Sequence, residues 1–153
     1  MIILLICILV LTLVVLYILN RKTKKVIVFI GPRSTGKTVV LHQILENKTY
    51  NTVPTLETYT SSYITDTIPN LHTSDVLTKY NICNEKAKYF FFFSDENQLK
   101  EILNEDRIYK FLIYFVFKGK KDELVNYDEI KKKISKKRFI CLENDGKNLL
   151  KFF

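Results

Sequence analysis

The sequence predicts an α/β fold built on a mostly parallel, doubly wound sheet. Three observations carry this reading. Apolar runs at residues 26–30, 89–93, 112–117 and 139–142 alternate with stretches that read as helices. A strand buried on both faces shows such a continuous run, not an alternation of apolar and polar residues. The first run leads directly into Gly31-Pro32-Arg33-Ser34-Thr35-Gly36-Lys37-Thr38, which has the form G-x-x-x-x-G-K-[ST] and is followed by a helical pattern. A strand, a glycine-bounded turn and a helix in that order hold an anion beyond the carboxyl end of a parallel strand. Ahead of all this, residues 2–19 are eighteen residues without a charge, which adds one expected N-terminal transmembrane helix to the architecture.

At about 1.5 Å rise per residue, those residues would span about 27 Å, close to a hydrocarbon core. A cleaved signal peptide would need a basic start and small residues at its end, and neither is present. A core helix would show a polar face, whereas only Thr12 and Tyr17 interrupt this one. Arg21, Lys22, Lys24 and Lys25 follow at once, which by the positive-inside tendency leaves the remainder in the cytosol. The expected organisation is an anchor over 2–19, a basic linker over 20–25 and one domain over 26–153.

All charged residues lie after the apolar segment, with a net charge of +8. That surplus suits an acidic surface, an acidic partner or nucleic acid, and alone it selects none. The three cysteines, Cys7, Cys83 and Cys141, have neither C-x-x-C nor histidine spacing for zinc, so a reduced cytosolic domain is expected.

Within the glycine-bounded turn, successive backbone N–H groups and the start of a helix make a cradle for phosphate. Gly31, Arg33, Ser34, Thr35, Gly36, Lys37 and Thr38 are the expected binding residues. Lys37 should reach the β- and γ-phosphates, and the Thr38 hydroxyl should ligate a Mg²⁺ that bridges them. Residues 37–46 then read as a helix with Val40, Leu41, Ile44 and Leu45 on one face.

A polar, proline-bearing loop over 50–57 comes next, and a threonine in it could close over Mg²⁺ and the γ-phosphate. Residues 58–65 carry β-formers and deliver Asp66 near a strand end, where a carboxylate can hold Mg²⁺ through water. Tyr89-Phe90-Phe91-Phe92-Phe93 reads as a strand buried on both faces, since consecutive rings argue only weakly for base stacking; no direct DNA binding is expected. Residues 96–104 read as a helix, 112–117 as a strand, 128–135 as a basic helix, 138–142 as a last strand and 148–153 as at most one and a half helical turns.

The loop after the 112–117 strand, Gly119-Lys120-Lys121-Asp122, resembles the N-K-x-D guanine-reading motif of small GTPases, with Gly119 in place of the asparagine. A carboxylate at Asp122 would accept from guanine's two donors, and the Lys120 stem would lie across the base. Thr52-Val53-Pro54-Thr55 is similar to the first switch of Arf-type GTPases, which makes Thr55 the threonine that closes on Mg²⁺. The metal residues implied are Thr38, Thr55 and Asp66. From Ile2 to nearly the end, the chain resembles the beta subunits of the signal recognition particle receptor, a family that combines an anchor, a basic link and a small G domain. Their D-x-P-G second switch is matched only loosely by Asp66-Thr67-Ile68-Pro69-Asn70, and their last base loop by Leu142-Glu143-Asn144.

That resemblance implies GTP and Mg²⁺ as cofactors, the receptor's alpha subunit as partner and the endoplasmic reticulum membrane as location. Slow hydrolysis would be secondary to docking. No glutamine occurs between Asp66 and Tyr89 to orient water, and His72 is the sole substitute. The rivals are another tethered Arf-like GTPase, a nucleotide-free adaptor and a nucleotide kinase. The kinase would need an arginine-rich lid, and after Arg33 there are only Arg107 and Arg138.

Overall fold

The computed structural model describes residues 9–14, 26–48, 56–61, 63–124, 129–130, 132, 134, 138–143 and 145–153. A six-stranded sheet in the order β2-β3-β1-β4-β5-β6 forms its centre. The strands are β1 (Ile27–Ile30), β2 (Tyr59–Ser61), β3 (Ile64–Asp66), β4 (Lys88–Phe93), β5 (Leu112–Lys118) and β6 (Phe139–Leu142). All pair in parallel except β2, which runs antiparallel to β3 at the edge. The mostly parallel sheet read from the alternating apolar runs is therefore present.

Residues 9–14 are helical (α1), and their side chains are exposed. The expected transmembrane helix over 2–19 is corrected here: among the described residues no helix is long and apolar enough to cross a membrane. The basic linker over 20–25 lies outside the described residues.

Both faces of the sheet are buried, and β4 shows why a five-residue aromatic run is stable there. Phe90 and Phe92 point to the face covered by α2 (Lys37–Glu46), with Val40, Leu41 and Leu149. Tyr89, Phe91 and Phe93 point to the other, with Leu99 and Ile102 of α4 (Glu96–Leu103). Phe90 stacks on Tyr114 at 5.1 Å between ring centres, and Phe91 meets the edge of Tyr80 at 5.2 Å. Removing each such ring from water contributes roughly 2 kcal/mol.

Several elements differ from their expected form. The stretch 58–65 is a hairpin of two three-residue strands, with Tyr59 opposite Asp66. Its β2 half is polar and exposed, so no second buried face supports a longer strand. A short helix, α3 (Val76–Lys79), starts at Asp75, whose carboxylate accepts from Thr78 N at 2.9 Å. The expected helix over 128–135 is helical at residues 129, 130 and 132, and much of the remainder lies outside the described residues. The C-terminal helix is a 3-10 helix, Gly146–Phe152. Its Leu149 is fully buried, and Gly146 N donates to Gln43 Oε1 at 2.9 Å, which closes the α2 face.

Because β1, β3, β4, β5 and β6 run the same way, the segments after Ile30, Asp66, Phe93, Lys118 and Leu142 emerge at one edge. That edge carries the candidate site.

Candidate functional site

The turn after β1 is shaped by two glycines. Gly31 has φ 129°, and a Cβ there would lie 2.2 Å from the Phe92 carbonyl oxygen. The backbone thus passes too close to β4 for any side chain. Gly36 has φ 83° and sits as the N-terminal cap of α2 without a side chain bonding to the helix's first N–H groups. Those donors remain available to an anion. Between the glycines, Thr35 is buried and its hydroxyl donates to the Pro32 carbonyl at 3.0 Å, stapling the turn. Arg33 and Ser34 form its exposed tip.

Lys37 is only 7% exposed, and its Nζ donates to the carbonyls of Gly31 at 3.1 Å and Pro32 at 2.7 Å. The turn's own oxygens therefore hold the ammonium across the cradle. Burial lowers the pKa of Lys37, opposed by the nearby Asp66 carboxylate.

Thr38, the next residue, donates its hydroxyl to Asp66 Oδ2 at 2.7 Å. Asp66 is 2% exposed, and its other oxygen, Oδ1, is buried with no hydrogen-bond partner among the described residues. Burial raises the Asp66 pKa, and the Thr38 hydrogen bond, Lys37 and His42 pull the other way. A buried carboxylate oxygen without a donor costs free energy unless a cation faces it. This pair therefore fits Mg²⁺, which binds through one or two protein oxygens plus phosphate and water. Among the described residues no group of three or more His, Cys, Asp and Glu could hold a metal ion. Thr55, the third expected metal residue, lies outside the described residues.

The loop after β5 approaches the same turn. A Cβ on Gly36 would fall 2.7 Å from Lys118 Cδ, so the last side chain of β5 lies over the cradle. Beyond it come Lys120, exposed, and Asp122, also exposed on a short 3-10 turn, Lys121–Glu123. Gly119 N donates to Leu142 O at 3.1 Å, tying this loop to β6. A side chain at Gly119 would meet Phe117 Cε1 at 2.8 Å and Glu123 Oε2 at 2.5 Å. A side chain at this position would therefore require the Glu123 carboxylate and the Phe117 ring to shift. Of the last base loop, Leu142 is buried and Glu143 exposed, and Asn144 lies outside the described residues.

The loose second-switch match has a definite structure. Thr67 gives both its N–H and its hydroxyl to the Phe29 carbonyl, at 3.0 and 3.1 Å. Asn70, at the place of the pattern's glycine, donates its N–H to Lys79 O at 2.8 Å. His72 is exposed, and its backbone N–H bonds Asn70 Oδ1 at 3.0 Å. Beyond it, Asp75 accepts from Arg107, and Lys79 pairs with Glu101. Thus α3 is fastened at both ends, and the backbone donor at Asn70 is already used.

Sequence reasoning passed over Lys118 and Thr67. The period of two along β5 could have found the first: Lys118 shares its sheet face with Val116, which packs on the α2 side.

No protein-family model and no curated protein matches the sequence. Among solved structures, the chain is similar to the Arl6 BBS3 small GTPase from Trypanosoma brucei with bound nucleotide analogue GppNp. The two share 17% identity and a TM-score of 0.44, over 82% of this chain and 89% of that one. By strand order this is an α/β protein whose mostly parallel sheet carries a glycine-bounded turn and the uncapped start of α2 at its carboxyl edge.

Proposed function

We propose that this chain is a guanine-nucleotide-binding protein of the small-GTPase type that works by binding and has little hydrolytic activity of its own. One observation carries the reading: Thr38 and the buried Asp66 form a half-built cation site beside the Lys37 cradle. GTP with Mg²⁺ supplies the missing phosphate oxygens and the missing charge. Arg33, Ser34 and Thr35 shape the turn, Lys37 and the α2 N-terminus take the phosphates, and Lys120 and Asp122 take the base. Hydrolysis is disfavoured because the loop after Asp66 commits its Thr67 and Asn70 donors internally, leaving His72 as the side chain that would have to orient water.

The finer reading is a docking subunit resembling the beta subunit of the signal recognition particle receptor, holding the alpha subunit at the endoplasmic reticulum. The Gly31–Thr38 and Gly119–Asp122 motifs and the first-switch resemblance at Thr55 support it. In this reading Thr55 closes on Mg²⁺ and the γ-phosphate, and the ordered loop is the surface that the partner recognises.

The test is competition of GTP and ATP against a fluorescent GTP analogue on the full-length chain with Mg²⁺. Displacement by GTP alone supports the proposal. Preference for ATP favours the kinase reading, and no binding by folded protein favours a nucleotide-free adaptor.

A further inference from the structure

The side chain of Lys118 has no place in the guanine-reading motif, yet it reaches the phosphate cradle. Val116 packs on the α2 face of the sheet, and Lys118, two residues on, leaves the strand on that same face. There its stem crosses Gly36: a Cβ built on that glycine would lie 2.7 Å from Lys118 Cδ and 3.0 Å from Nζ. Gly36 begins α2, where the helix presents N–H groups without a capping side chain. Lys118 is exposed, and among the described residues no carboxylate pairs with it. Lys37, by contrast, is already held by two carbonyls of the turn. An ammonium group thus stands over the mouth of an anion cradle with no carboxylate paired to it among the described residues.

We infer that Lys118 is a second phosphate-binding cation of this site, closing over the nucleotide from the β5 side. This rests on the guanine-nucleotide reading above. The backbone of such a turn cradles the α- and β-phosphates, while Lys37 reaches the β- and γ-phosphates. Lys118, placed over the turn, therefore serves the phosphates common to GDP and GTP. Position 118 also lies one residue before the loop that would hold the base. The same lysine thus links phosphate binding to base binding across Gly119, where a side chain would meet Glu123 and Phe117.

The experiment measures GDP and GTP affinity of the full-length chain and two variants by fluorescence titration. Lys118→Met keeps the stem over Gly36 and removes the charge, and Lys118→Arg keeps the charge. Lys118→Met is expected to weaken GDP and GTP alike by about tenfold and to flatten the salt dependence, while Lys118→Arg stays within about threefold of wild type. Wild-type affinity in Lys118→Met would overturn the inference, since the side chain would then be only a cover for Gly36. A loss confined to GTP would overturn the placement over the α- and β-phosphates. If Lys37→Ala loses binding while Lys118→Met does not, the nucleotide site stands without Lys118. If the folded wild-type chain binds neither nucleotide, the site itself fails and the inference with it.

Discussion

Thr38 and Asp66, 28 positions apart in sequence, share a 2.7 Å hydrogen bond that joins the start of α2 to the end of β3. The bond satisfies one carboxylate oxygen and leaves the other buried without a donor. The site is therefore complementary to a cation that arrives with its own oxygen ligands. Mg²⁺ is expected to tighten GTP binding by at least about tenfold in the wild type, and Asp66→Asn is expected to remove most of that dependence. Titrations with and without Mg²⁺ measure it, and an unchanged Mg²⁺ effect in Asp66→Asn would move the metal elsewhere.

The same carboxylate makes a pH prediction. Burial holds the folded pKa of Asp66 above its ordinary value, so the folded protein keeps this proton to higher pH than the unfolded chain. Its contribution to stability is full below the unfolded value, about 3.9, is lost as pH rises through the raised folded value, and is constant above it. Melting temperatures of wild type and Asp66→Asn across that range, without nucleotide, should show the wild type losing ground as pH rises. A gap that does not change with pH would contradict the assignment.

Asp75 behaves in the opposite sense. The hydrogen bonds it accepts from Thr78 and Arg107 hold its pKa at about 2. Its stabilising effect is present above the unfolded value and is lost as pH falls through the folded one. Asp75→Asn is expected to lower the melting temperature near neutral pH and to converge with wild type as pH falls towards about 2. Amide exchange at Thr78 should rise in the same variant, and unaltered exchange would mean that the Asp75 cap does not hold α3.

Restoring the asparagine of the guanine motif should harm this protein. Gly119→Asn places a Cβ against the Phe117 ring, and overpacking of this kind costs about 1–3 kcal/mol. A lower urea midpoint without tighter GTP binding is the expected outcome. An unchanged midpoint with tighter binding would mean that glycine here is only a missing support.

Base recognition is separable from these effects. Asp122→Asn puts an amide donor against one of guanine's donors and is expected to shift preference towards xanthine nucleotides, whose corresponding edge offers an acceptor. Unchanged GTP preference would reduce the loop to a basic turn.

The parts of this molecule legible in the sequence are those whose cause is local. The β1 run, the two glycines and α2 follow one another without interruption, and the β4 aromatic run has no other stable environment than a sheet covered on both sides. The β2–β3 hairpin was not legible as two strands, because Thr and Tyr favour strands without marking where one ends. The helix Val76–Lys79 owes its place to Asp75 and to distant Arg107 and Glu101, and four residues carry no readable period. Within the site, Lys37, Thr38 and Asp66 come together as their spacing and strand-end positions implied. Lys118 escaped notice because its meaning depends on β5 lying near enough to β1 to cross Gly36, a relation fixed by strand order and invisible in a motif. The apolar segment over 2–19 read as a membrane span on its lack of charge and the basic residues after it, and among the described residues no helix is long and apolar enough to be one.

The central claim is that the Lys37 cradle binds GTP with Mg²⁺. Titration calorimetry of GTP against the full-length wild-type chain and against Lys37→Ala, both shown to be folded by circular dichroism, tests it most directly. The account predicts saturable, Mg²⁺-dependent binding to wild type and a loss of at least about tenfold in the variant. Equal affinity in the two proteins, or no heat of binding to folded wild type, would contradict it.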